Sequence, residues 1–219
     1  MMSDLTAAAI DLLKDLIGIP SFSRQEDKTA DRIGEWFDHY GIPYQRDGNN
    51  LWAKNKAFDS KKPTLLLNSH HDTVKPNAAY TNDPFEAKIE DGKLYGLGSN
   101  DAGGALVSLI ALFTYYFNKE NPKYNLLVTA SAEEEIAGDD SLSGLLPKLP
   151  KIDVAIVGEP TEMHLAVAEK GLIVFDAVIT GTPGHAAHPN ADNPIMKLPE
   201  VLNWFENFKL QKYSDFLGD

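Results

Sequence analysis

The stretch Leu65-Leu66-Leu67-Asn68-Ser69-His70-His71-Asp72-Thr73 limits this chain more than any other. Three consecutive leucines read as a short apolar strand, and it gives way at once to side chains that can bind metal. In an open α/β sheet, ligands collect just beyond the carboxyl ends of the strands. A His two residues before an Asp, placed there, can share one task. The imidazole takes a divalent ion through one ring nitrogen, and the carboxylate holds the other nitrogen or the nearby solvent. The plainer reading makes His70 and His71 exposed loop histidines beside a capping Asp. It weakens because an apolar run followed by an acid recurs three more times.

Gly96-Leu97-Gly98-Ser99-Asn100-Asp101-Ala102-Gly103-Gly104 is a glycine-dense turn. It leads into an apolar helix over 105–117, expected to be buried on most sides. A helix start of this kind can cradle phosphate. The spacing, however, is neither a Walker loop nor Gly-x-Gly-x-x-Gly, and no Lys-Ser or Lys-Thr follows. The preferred reading is a turn that lets backbone pass close to a metal held by Asp101; alone, Asp101 would read as a helix N-cap. Residues 124–130 read as a strand that ends on Ser131-Ala132-Glu133-Glu134-Glu135. Adjacent carboxylates past a buried strand repel one another, which raises at least one pKa in the absence of a cation. Residues 154–157 are a fourth apolar strand, ending on Gly158-Glu159. One carboxylate at a strand end is routine. Several, brought by different segments to one edge of one sheet, make a site.

The remaining pattern supplies the frame. Helical spacing runs over 6–17 and 26–40, hairpin signatures over 44–53 and 87–95, and a short helix over 141–146. After Glu159 the texture changes to strands over 165–168 and 171–180, a loop over 181–189, a helix over 194–208 and a ragged tail over 213–219. The expected fold is α/β, with a mixed, largely parallel sheet flanked by helices. Residues 1–167 would form its metal-binding catalytic portion, and 168–219 would begin a smaller α+β lid or dimerisation domain, incomplete here.

Composition narrows the function. With 32 acidic against 20 basic residues the net charge is −12, the opposite of a nucleic-acid footprint. Such a field suits divalent metal and cationic or zwitterionic small substrates. There is no Cys, so a metal must be held by His and carboxylate. No apolar run reaches the roughly 18–20 residues that span a bilayer, and residues 1–6 lack the features of a signal peptide. No membrane partner and a cytoplasmic location are therefore expected.

Four motifs together resemble a known family. Ser69-His70-His71-Asp72-Thr73-Val74, the glycine turn through Asp101, Ala132-Glu133-Glu134-Glu135 and Val157-Gly158-Glu159-Pro160-Thr161 follow the order and spacing of the two-zinc aminoacylases and carboxypeptidases. That family includes acetylornithine deacetylase and succinyl-diaminopimelate desuccinylase, and the chain looks closest to the deacetylase branch. Gly184-His185 followed by 191–195 is similar to the family's lid-domain signature. The resemblance implies that His70 and Glu159 hold one zinc, Asp101 bridges both, and Glu135 holds the second. It implies that Asp72 orients His70. Glu134 would be the general base, taking a proton from the attacking water and returning it to the leaving amine. His185 would reach a neighbour's site across a dimer interface and stabilise the oxyanion.

The implied activity is hydrolysis of the amide of an N-acyl amino acid, as in arginine biosynthesis, with two Zn2+ (Co2+ as a possible substitute) and a homodimer. Two features depart from the family. Glu133 stands where many relatives carry Asp. The chain also stops before the region that supplies a further His to the second zinc, and neither His164 nor His188 sits in its place. The second metal position is expected to be incomplete. The alternatives are a desuccinylase or related metallo-carboxypeptidase or dipeptidase, a truncated metal-binding or dimerising fragment, and nucleotide binding through the glycine turn.

Overall fold

The computed structural model describes residues 2–120, 122–209 and 214–217. They divide into two compact units, Met1–Met163 and His164–Asp219.

In the first unit, apolar residues at helical spacing put α1 (Met2–Ile17) into the core beside α3, with Ala9, Leu12, Leu13, Leu16 and Ile17 buried. Helix α2 (Asp27–His39) buries Ala30, Ile33, Trp36 and Phe37 along one stripe, as a 3.6-residue period requires. Strands β1 (Tyr44–Asp47) and β2 (Asn50–Lys54) form the expected hairpin. Strand β3 (Thr64–His70) follows, then the separate hairpin β4 (Lys88–Glu90) and β5 (Lys93–Tyr95). Helix α3 (Gly104–Tyr116), strand β6 (Asn125–Ser131), the one-turn helix α4 (Leu142–Leu145) and strand β7 (Val154–Val157) complete the unit.

The main sheet runs β1-β2-β6-β3-β7. Strands β6, β3 and β7 are parallel, and β2 joins β6 antiparallel. Side chains alternate between faces along a strand, so Leu67, Val128 and Ala53 enter the larger core with α1, α2 and α3. Leu66, Leu127 and Trp52 enter a smaller one with Leu145. The register pairs His70 with Ser131 and Asn68 with Val157. The three parallel strands therefore finish at one edge.

Two expectations need correction. Helix α3 buries Leu106, Val107, Ile110 and Phe113, while Leu112 and Tyr116 are exposed; it is covered on one face rather than most. Strand β7 forms where expected, as the edge of the sheet, and is exposed along its whole length. In the second unit, residues 165–168 and 171–180 contain no strand. Leu165, Val167, Leu172 and Val178 are exposed, and an extended segment without a partner has nowhere to pair its backbone groups.

The second unit does contain the expected helix, α5 (Pro194–Asn207). Asn193 caps it by accepting the Ile195 N–H at 3.0 Å, and Phe175 packs edge-on to Phe205 and Phe208. Of the tail expected over 213–219, residues 213, 218 and 219 lie outside the described residues.

Candidate metal centre

Strand β3 carries its apolar run straight into the rim, so His70 ends on buried backbone with only 1% of its surface exposed. Its two ring nitrogens face different surroundings. Nδ1 lies 3.0 Å from the Asp72 carbonyl oxygen and 3.3 Å from Asp72 Oδ1. Nε2 points outward, 3.2 Å from Asp101 Oδ1 and 3.8 Å from both Glu134 Oε2 and Glu159 Oε2. Burial alone would lower the pKa of His70. Hydrogen bonds and charge from Asp72 and Glu159 override it and push the value up to about 11.

Asp72 is fully buried. It accepts the Ser23 hydroxyl at 2.8 Å and the backbone N–H groups of Glu134 and Glu135 at 3.1 and 3.2 Å. Burial pushes its pKa upward, but these bonds and the neighbouring His70 hold it below the usual carboxylate range.

The acidic residues reach the rim by different routes. Glu134 and Glu135 follow β6 through a tight turn that begins at Glu133 (φ +52), a backbone region uncommon outside glycine. Glu159 follows β7. Asp101 does not come from a strand of the main sheet. It sits in an irregular turn over Ser99–Gly103 just before α3, with non-helical φ −112 and ψ 96. It therefore makes no helix cap. Gly98 (φ +71) lets this turn pass Thr73, where an added Cβ would lie 2.6 Å from Thr73 Cγ2. Gly98 thus serves a close approach of backbone to the Thr73 side chain. Glu134 and Glu135 both titrate above the usual range. Burial is the first cause; Glu159, Asp72 and Asp101 raise Glu134 further, and Asp101 raises Glu135.

This donor set fits a divalent cation. His70, Asp101 and Glu159 each offer one atom, all within 4.8 Å of one another. A neutral imidazole and hard carboxylate oxygens suit Zn2+, Mn2+ or Co2+. His185 belongs to the second unit, in an exposed loop where its Nδ1 accepts the Ala187 N–H. His188 stacks near it, with ring centroids 5.6 Å apart.

A layer of polar side chains behind the rim carries no local mark in the sequence. His71 is buried; its Nε2 meets the Asn49 carbonyl at 3.0 Å and its Nδ1 meets Thr29 Oγ1 at 2.8 Å. Burial lowers its pKa, so it is a neutral structural imidazole. Glu26, Ser23, Asn49 and Asn50 also hold the rim from behind. A lone Glu just before an amphipathic helix reads as helix start, and nothing local marks it otherwise.

Residues 66–209 match the model of peptidase family M20/M25/M40, and the chain belongs to this family. Among curated proteins it is similar to the succinyl-diaminopimelate desuccinylases of Rhodospirillum centenum and of Buchnera aphidicola subsp. Acyrthosiphon pisum. The first is 31% identical, over 89% of this chain and 55% of the relative. The second is 33% identical, over 97% of this chain and 60% of the relative. The chain thus spans little more than half the length of these relatives. Their names fall on the desuccinylase alternative rather than on acetylornithine deacetylase. Among solved structures, the M20 metallo-carboxypeptidase Sso-CP2 of Sulfolobus solfataricus superposes with TM-score 0.57 at 26% identity, covering 68% of this chain and 37% of that one. The dipeptidase Dug1p of Saccharomyces cerevisiae shares the fold, with TM-score 0.59 at 20% identity over 72% and 39% of the two chains. Among the described residues, no helix is long and apolar enough to cross a membrane.

Proposed function

We propose that this chain carries the metal-binding rim of an amidohydrolase that cleaves the amide bond of an N-acyl amino acid. The observation that carries the reading is His70 Nε2 facing Asp101, Glu134 and Glu159 within 3.2–3.8 Å. His70 and Glu159 would hold one divalent ion, Asp101 would be shared, and Glu135 would serve a second. The chemistry a divalent pair supplies when bound is polarisation of the scissile carbonyl and acidification of water. Asp72 steadies the His70 ring through Nδ1, which keeps Nε2 turned outward. Glu134 is half-exposed beside that nitrogen and has a raised pKa, which suits a general base. It would accept a proton from the attacking water and return it to the departing amine.

Zinc is the metal favoured by the family resemblance. The names of the relatives favour an N-succinyl diamino acid as substrate, with N-acetylornithine next. The same resemblance supports a homodimer in which His185 serves the neighbouring subunit. The test is a panel of N-succinyl-diaminopimelate and N-acetylornithine with added Zn2+ or Co2+, followed by assay of the freed amine. Turnover of at least one, abolished by a chelator, is expected. Two tightly bound ions with no hydrolysis across the panel would overturn the hydrolase reading.

A further inference from the structure

We propose that Glu26 is a positioning residue for the acidic turn, acting through the backbone of Glu133; the inference rests on the hydrolase reading above. Glu26 is fully buried at the N-cap position of α2, yet its side chain makes no capping bond to that helix. Both oxygens point elsewhere. Oε1 accepts the backbone N–H of Arg24 at 2.8 Å and of Glu133 at 3.1 Å, and Oε2 accepts Asn49 Nδ2 at 2.9 Å. A carboxylate taken out of water is costly unless its oxygens are satisfied, and here every partner is an N–H donor.

The bond to Glu133 completes a pattern. Three successive amides, of Glu133, Glu134 and Glu135, each donate to a buried carboxylate: the first to Glu26, the other two to Asp72. Glu133 is also the residue held at φ +52, a conformation that persists only where the surroundings over-determine it. Releasing its N–H would let the turn relax and swing Glu134 and Glu135 away from the rim. Asn50 supports the same loop by accepting the Ala132 N–H at 3.0 Å and donating to the Asp140 carbonyl at 2.6 Å. Glu26 is therefore placed to set the general base and the Glu135 ligand without meeting substrate.

The test compares Glu26→Ala with Glu26→Gln in the full natural chain. Gln keeps a carbonyl oxygen for the two backbone amides; Ala leaves both buried and unpaired. Three quantities are read: Co2+ binding by visible absorption, kcat and KM for the hydrolysed N-acyl substrate, and hydrogen exchange of the 133–135 amides. In Glu26→Ala, the weaker Co2+ site and kcat are expected to fall about 10–100-fold, with KM and the tighter site little changed. The 133–135 amides should exchange faster, and Gln should recover most of each loss. Wild-type Co2+ binding and kcat in the Ala variant would overturn the inference, as would equal losses at both Co2+ sites without recovery by Gln. If the Ala variant does not fold, Glu26→Asp, one methylene short, should show the same selective loss, and wild-type values there would count against Glu26. A wild type that binds no Co2+ and hydrolyses nothing sinks the hydrolase reading instead. Exchange at 133–135 still decides the role of Glu26, with unchanged protection in the variant overturning it.

Discussion

Asp72 Oδ1 accepts the backbone N–H of Glu134 at 3.1 Å while lying 3.3 Å from His70 Nδ1. One buried carboxylate therefore touches both the imidazole and the Glu134–Glu135 backbone, which come from different strands. Neither end of the rim can shift without disturbing the other.

Replacing Asp72 by Asn tests that link. The isosteric amide keeps the shape but turns a donor toward partners that are themselves donors, Ser23 and the Glu134 and Glu135 amides. Metal affinity is expected to drop about 10–100-fold, as when other partners of metal-holding histidines are removed. Titration with Zn2+ against a competing chelator measures it, and wild-type affinity would show that Asp72 is dispensable for holding His70.

Glu134→Ala separates base from ligand. If Glu134 moves protons, turnover should fall by about 10²–10⁴-fold with metal content intact. Loss of an ion from the purified variant, measured by elemental analysis, would exchange the proposed roles of Glu134 and Glu135.

Much of the rim was readable because its cause is local. An apolar run such as Leu65–Leu67 must be buried, and the polar residues that follow, His70 and Asp72, must sit at its end. The same logic located Glu134 and Glu135 after β6 and Glu159 after β7. Asp101 was readable as lying on a glycine-dense turn before a helix; the irregular course of that turn and the fit of Gly98 against Thr73 were not. The supporting layer is invisible locally because its bonds join distant segments: Ser23 reaches Asp72 across 49 positions, and Glu26 reaches Glu133 across 107. The apolar runs over 165–168 and 171–180 read as strands but do not form them. Their pattern records a demand for burial that the described elements do not meet.

Acidity should set the benefit gained from metal. In the metal-free chain His70 has a raised pKa, from 6.5 to about 11, so its contribution to stability is complete below the unfolded value and is lost as pH rises toward the folded one. Glu134 and Glu135 are raised as well, so they too bind protons more tightly in the folded state, and stability falls as they ionise. Asp72 has the opposite sign: its contribution is complete above its unfolded value and is lost as pH falls toward the lower folded one. A divalent ion competes with the protons that His70 and the carboxylates hold. Calorimetry with and without Zn2+ should therefore show a metal-induced rise in Tm that is larger at about pH 8 than at about pH 5.5. A rise that is equal at both would mean that metal binds away from these groups.

Gly98→Ala should damage the rim from the side of the glycine turn. Its φ of +71 disfavours any side chain, and the new Cβ would lie 2.6 Å from Thr73 Cγ2. Gly41→Ala is the matched control: its φ is +63, but nothing lies within 4 Å of the added atom. Left-handed backbone costs a non-glycine residue about 1–2 kcal/mol, and both variants should lose this much in denaturant unfolding. Only Gly98→Ala carries the added crowding, about 1–3 kcal/mol in a well-packed site. That crowding can be relieved by moving the turn away from Thr73, and Asp101 lies three residues further along it. Weakened Co2+ binding is therefore expected in Gly98→Ala and not in Gly41→Ala. Equal Co2+ affinity in the two would mean that Asp101 is held independently of the close passage at Thr73.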